Sequence, residues 1–158
     1  MSIEKARAHL RSCGVEDRVR EFDVSSATVE LAAQALGVVP ERIAKTLSFK
    51  SGAGCLLVVA AGDARVDNHR FRDQFGFKAK MLTADEAVSL VGHAVGGVCP
   101  FGINAGVAVY IDSSVRRFRT VFPAAGSARS AVEMTPEELY RYSGALEWVD
   151  VCKLPEPV

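Results

Sequence analysis

The sequence predicts an α+β fold built on a mixed, mostly antiparallel sheet flanked by helices, and three observations point there. Segments of strand character outnumber helical ones, and several strands follow one another with no crossover helix between them. Ser51-Gly52-Ala53-Gly54 also separates two apolar runs in the manner of a hairpin turn. A doubly wound nucleotide-binding fold needs strand and helix in alternation, so this order argues against it.

The elements follow in chain order. Residues 4–13 read as a short amphipathic helix stopped by Gly14, and residues 18–22 as a strand. Ser25 or Ser26 is placed to cap a second helix that runs to Leu36 with Gly37 as its stop, and Thr28, Leu31, Ala32 and Ala35 share one face. Pro40 starts a brief helical turn. The hairpin strands are 44–49 and 55–61, followed by a helix over 67–75 and a short strand over 78–82. Thr83 with Glu86 forms a capping box for a helix over 83–91. Residues 107–111, 120–124 and 131–134 are of strand type, and Thr135-Pro136-Glu137-Glu138 opens a last helix as cap plus first-turn proline. A final strand is expected over 147–151, and residues 153–158 read as a frayed tail.

Length and composition bound the rest. At 158 residues with 49% hydrophobic residues, the chain suits one domain over 1–158 with a substantial core. Nineteen basic and nineteen acidic residues cancel, so bulk charge does not draw this chain to nucleic acid. Any RNA contact must then come from a local patch, and Arg116-Arg117-Phe118-Arg119 is the candidate, read equally well as a solvated strand edge. The four cysteines (Cys13, Cys55, Cys99, Cys152) form no CxxC pair, and the N-terminus carries no apolar leader, which suggests a reduced cytoplasm. The longest apolar run is too short to cross a bilayer.

The run Gly96-Gly97-Val98-Cys99-Pro100-Phe101-Gly102 is the strongest chemical signal, because glycines let main-chain amides face a ligand and Pro100 fixes the shape that follows. Ala124-Ala125-Gly126-Ser127 offers a second small-residue loop that can converge on the same pocket. Lys45 opens a strand with one apolar face, so it points either to solvent as an edge lysine or into a cleft, where its ammonium would hold a phosphate, a carboxylate or developing negative charge. His93 and Cys99 form a possible base and nucleophile, although no orienting carboxylate is evident. The alternatives are a helix-capping or cleft-lining histidine and a half-buried loop cysteine. His9, His69 and His93 share no metal-ligand spacing, so neither a metal nor a cofactor is expected. Asp63, Arg65 and Asp67 read as turn and cap residues.

Ala44-Lys45-Thr46-Leu47 before a hairpin, Val91-Gly92-His93 leading into the glycine loop, Asp112 after a strand, and Ala125-Gly126-Ser127 followed by Thr135-Pro136-Glu137-Glu138-Leu139 together resemble the YbaK family, the prolyl-tRNA synthetase-associated editing domains. The resemblance runs from about Ser25 to Tyr142. It implies a strongly curved, barrel-like sheet and a trans-acting aminoacyl-tRNA deacylase, with tRNA-Pro bearing alanine, cysteine or a similar small residue as substrate. It further implies that Lys45, Gly96, Gly97 and Val98 carry the chemistry, and that Thr46, His93, Cys99, Pro100, Phe101, Gly102, Gly126 and Ser127 contact substrate. The implied partners are the acceptor end of aminoacyl-tRNA and an aminoacyl-tRNA synthetase, with the chain a monomer or weak homodimer. Two other readings stand beside it: a non-catalytic module that binds a tRNA end, and a thiol hydrolase using Cys99.

Overall fold

The computed structural model describes residues 2–156. Helix α1 (Ser2–Ser12) buries Ala6 and Leu10, and the chain turns at Gly14 into strand β1 (Val19–Glu21). Helix α2 (Val29–Leu36) is capped by Thr28, whose hydroxyl accepts from the Leu31 amide at 3.2 Å. The cap is thus later than Ser25 or Ser26, because Ser26 is buried and its backbone bonds instead to Ala128. Pro40–Arg42 forms one helical turn before the hairpin β2 (Ile43–Ser51) and β3 (Gly54–Ala61).

Strand β3 lies at the centre of the sheet with both faces covered, which is why it reads as an unbroken apolar run with every residue from Cys55 to Ala61 buried. It pairs antiparallel with β2 and parallel with β5 (Ala108–Asp112). The five-stranded sheet runs β6 (Phe122–Pro123), β2, β3, β5, β8 (Glu147–Val149), so it is mixed, with three parallel ladders and one antiparallel. Two small antiparallel pairs form separate sheets: β1 with β7 (Ser130–Val132), and β4 (Arg65–Val66) with β9 (Cys152–Lys153).

Helix α3 (Asn68–Phe75), capped by Asp67, lays Phe71 into an aromatic cluster. Its ring lies 4.7 Å from those of Phe49 and Phe75, and Phe75 meets Tyr110 edge-on at 4.9 Å. Phe71 is fully buried, so cutting it to alanine costs about 3–5 kcal/mol.

Residues 78–82 form no strand. They run beside β2 with one bridge, Phe49 to Met81, supported by Lys50 N–H to Lys80 O at 2.8 Å and Leu82 N–H to Ser48 O at 3.0 Å. The Thr83 capping box does open a helix, α4 (Ala84–Glu86), which widens into a π turn over Ala87–Val91. Helix α5 (Pro136–Tyr142) starts at the predicted Thr135 cap. The strand expected over 147–151 ends at Val149, and a separate two-residue strand follows at Cys152–Lys153. Lys153, assigned to the tail, pairs with Arg65 and reaches the Asp67 carboxylate at 2.9 Å, while the last two residues of that tail lie outside the described ones. No helix among the described residues is long and apolar enough to cross a membrane.

Candidate functional site

A small hollow of about 220 Å³ opens between the first half of β2, the start of α2, β7 and the loop after the π turn. It exists because its walls are made of short side chains: Ala27, Ala32, Ala44 and Ala131 line it, together with Gly96. Thr46 also lines it, and the buried Thr46 hydroxyl oxygen has no hydrogen-bond partner among the described residues. Buried polar atoms are nearly always satisfied, so Thr46 presents an unused polar group in a wall it shares with Lys45, Ser48 and Ser130.

The loop from His93 to Gly102 is fixed from three sides. Ala94 to Gly97 is a tight turn closed by Gly97 N–H to Ala94 O at 3.0 Å, and Gly96, third in the turn, has φ +90°, a conformation that favours glycine. The amide of Gly97 is therefore consumed by the turn. Among the described residues, those of Gly96 and Val98 donate no hydrogen bond. Gly97 presses on the second loop, since a Cβ there would stand 2.7 Å from Ser127 Cα and 2.8 Å from the Gly126 carbonyl carbon. That second loop is held by Ser130, whose hydroxyl accepts from the amides of Ala125 at 3.2 Å and Ser127 at 3.3 Å.

At its far end the loop is anchored to α1 and α5 through His9. The Gly102 amide donates to His9 Nδ1 at 2.9 Å, and His9 Nε2 donates to Tyr142 O at 2.6 Å, so the contacts fix one neutral tautomer. Position 102 also has no room for a side chain, because a Cβ would fall 2.4 Å from Lys5 O.

Lys45 stands in the wall between this hollow and a second, wider one of about 930 Å³ lined by Glu30, Asp63, Arg65 and Asp67. Its Nζ donates to Ala64 O and, at 3.4 Å, to Gly62 O, which leaves one of three ammonium protons for a ligand. Burial pulls its pKa below the ordinary lysine value, with the nearby Asp63 and Glu30 carboxylates pulling the other way. The ammonium thus rests on the side of the second hollow rather than over the glycine loop.

Of the residues singled out from sequence, Lys45, Thr46, Gly96 and Val98 line the small hollow together. Gly97, Gly126 and Ser127 lie behind it as the contact between the two loops. The others do not line it: His93, Cys99, Pro100 and Phe101 are buried beneath the loop, and Gly102 sits against α1. His93 Nε2 donates to Phe101 O at 2.7 Å, so that nitrogen is not free to take the thiol proton of Cys99, 3.6 Å away. Burial also pushes the Cys99 thiol up to about 12 and pulls the His93 imidazole down, so this pair is a neutral packing contact. Among the described residues, no three His, Cys, Asp or Glu side chains gather where a metal could sit. Sequence reasoning passed over His9 and Ser130. His9 meets Gly102 across 93 residues of chain, and no local pattern announces such a contact.

Comparison with known proteins gives a consistent set of relatives. Residues 23–142 match the aminoacyl-tRNA editing domain. The chain is 51% identical over 154 residues to the uncharacterized protein YwhH of Bacillus subtilis, covering 97% of this chain and 98% of YwhH. It is 30% identical over 90 residues to the proline–tRNA ligase of Thermotoga maritima, a match covering 56% of this chain and 15% of the ligase. A solved structure described as "a putative trans-editing enzyme for prolyl tRNA synthetase" superposes with TM-score 0.85 at 30% identity, covering 99% of this chain and 98% of that one. The hypothetical protein APE2540 superposes at 0.83 with 28% identity, over 94% of this chain and 99% of its own.

Proposed function

The chain belongs to the aminoacyl-tRNA editing domain family, and from that membership we propose that it is a trans-acting deacylase that cleaves the ester between a small, wrongly attached amino acid and the terminal ribose of tRNA. The observation that carries this reading is that Thr46 and the unoccupied amides of Gly96 and Val98 belong to the lining of one small hollow, with Lys45 in the wall between it and the wider one.

Ester hydrolysis needs three things here: a place for the amino acid, donors for the oxygen that becomes charged, and a positioned water. The hollow of about 220 Å³ has room for a small amino acid. Water adds to the ester carbonyl carbon, the carbonyl electron pair moves onto oxygen, and the Gly96 and Val98 N–H groups would stabilise that oxyanion. One such donor is worth about 3 kcal/mol in measured enzymes. The intermediate then expels the ribose oxygen, which takes up a proton, releasing free amino acid and intact tRNA. The Thr46 hydroxyl is available to hold the substrate amine or the water. Lys45, in the wall between the two hollows, would meet the ribose and phosphate of a terminal nucleotide lying in the wider one. No protein nucleophile is required, because the vicinal ribose hydroxyl can orient the water.

Hollow volume then sets specificity, at about 1–3 kcal/mol per methylene. The names of the proline–tRNA ligase and trans-editing relatives favour tRNA-Pro as carrier, with the synthetase as a functional partner. A deacylation screen of tRNA-Pro charged with alanine, cysteine or serine, against correctly charged prolyl-tRNA, tests the reading. Loss of at least one mischarged ester with prolyl-tRNA spared is expected, and stability of all four would overturn it.

A further inference from the structure

The net charge of zero conceals a polarised surface. A wide hollow of about 980 Å³, separate from the two at Lys45, is lined by Arg18, Arg20, Arg42, Arg117 and Arg119 against Glu133 and Glu138, a surplus of three positive charges. Three of the five guanidiniums are fixed in place by ion pairs: Arg18 with Glu138 at 3.0 Å, Arg42 with Glu133 at 3.4 Å, and Arg117 with Asp63 at 2.5 Å. Arg20 and Arg119 are exposed, and among the described residues neither has a side-chain partner. Phe118 lies among them, half-buried, with the Arg117 guanidinium 4.7 Å above its ring.

This surface adjoins the small hollow. Arg42 immediately precedes Ile43 in the hollow wall, and its guanidinium lies 5.0 Å over the ring of Phe122, which also lines that wall. Arg20 stands opposite Ala131, another wall residue, across the β1–β7 ladder. A chain of regularly spaced anions whose end enters the hollow would therefore run over these arginines. Guanidinium forks match phosphate oxygens, and paired arginines cannot collapse onto the protein when the ligand leaves.

We infer that the Arg20–Arg119 face is the docking surface for the phosphate backbone of an RNA acceptor stem, with Arg20 and Arg119 as its two free phosphate contacts. The inference rests on the tRNA reading for the identity of the RNA, and direct binding tests it independently of hydrolysis. An uncharged acceptor-stem microhelix of tRNA-Pro is titrated with the wild-type protein, Arg20→Ala/Arg119→Ala and Arg20→Glu/Arg119→Glu, between about 50 and 200 mM salt, by fluorescence anisotropy. Both side chains are exposed and unpaired, so melting temperatures should match the wild type. The double alanine variant should lose about two units of the salt slope, near one per arginine, and the double glutamate variant should bind at least about tenfold more weakly at low salt.

Mischarged tRNA is assayed in parallel. A wild-type protein that binds through these arginines but leaves the ester intact keeps this surface and refutes the hydrolase. Absence of microhelix binding, or affinity and slope unchanged in both variants, overturns the surface whatever the hydrolysis result.

Discussion

Gly97 and Ser127 are in backbone contact: a Cβ on Gly97 would stand 2.7 Å from both the Cα and the N of Ser127. Neither neighbour is the flexible end of a side chain, so the two loops that shape the hollow are locked together at a point with no space to spare. Gly97→Ala should push them apart, lowering the melting temperature and cutting deacylation by more than about tenfold. Gly54→Ala, whose Cβ would meet only Ser51 O at 3.8 Å, should leave deacylation close to wild type. Thermal melts and initial rates on the pair check this.

Cys99→Ala should retain near-full deacylation. The thiol is held near 12 by burial and has no route to the hollow, so it cannot supply a thiolate at neutral pH. A folded but inactive variant in a single-turnover assay would reinstate the covalent route.

How much of this was legible in the sequence divides by the range of the interaction. Thr83 and Thr135 announce their helices because a capping box closes within four residues. The β2–β3 hairpin is read from its own turn. The partners of β6 and β8 come from distant parts of the chain, and short strands of this kind carry no local mark of a parallel neighbour. Residues 78–82 have the alternation of a strand but form a single bridge beside β2, and Met81, in phase with Ala79, is exposed, so a short alternation settles neither pairing nor burial. At the site, the glycines and Lys45 stand out because backbone geometry and charge are local properties. Whether His93 and Cys99 face the hollow or the core depends on which side of the loop is packed, and His9, from another part of the chain, decides that through Phe101 and Gly102.

Acid sensitivity should be traceable in part to Asp67. Its carboxylate caps α3 by accepting the Arg70 amide at 2.9 Å and pairs with Lys153 at 2.9 Å. The Arg70 amide first, and Lys153 next, hold it at about 2 against an ordinary 3.8. The folded pKa lies below the unfolded one, so the unfolded chain takes up the proton first. This contribution is complete above about 3.8 and is lost as pH falls toward 2. Urea midpoints measured across that range should fall less steeply for Asp67→Asn than for the wild type, and equal slopes would assign the sensitivity elsewhere.

In the proposed reaction Lys45 acts as a fixed cation and not merely as a structural tie to Gly62 and Ala64. Lys45→Gln keeps an N–H donor for those carbonyls and removes the charge, so single-turnover deacylation of mischarged tRNA-Pro by this variant is the most direct measurement. A fall of at least about thirtyfold, roughly 2 kcal/mol of transition-state stabilisation, at an unchanged melting temperature is predicted. A rate within about twofold of wild type would contradict it.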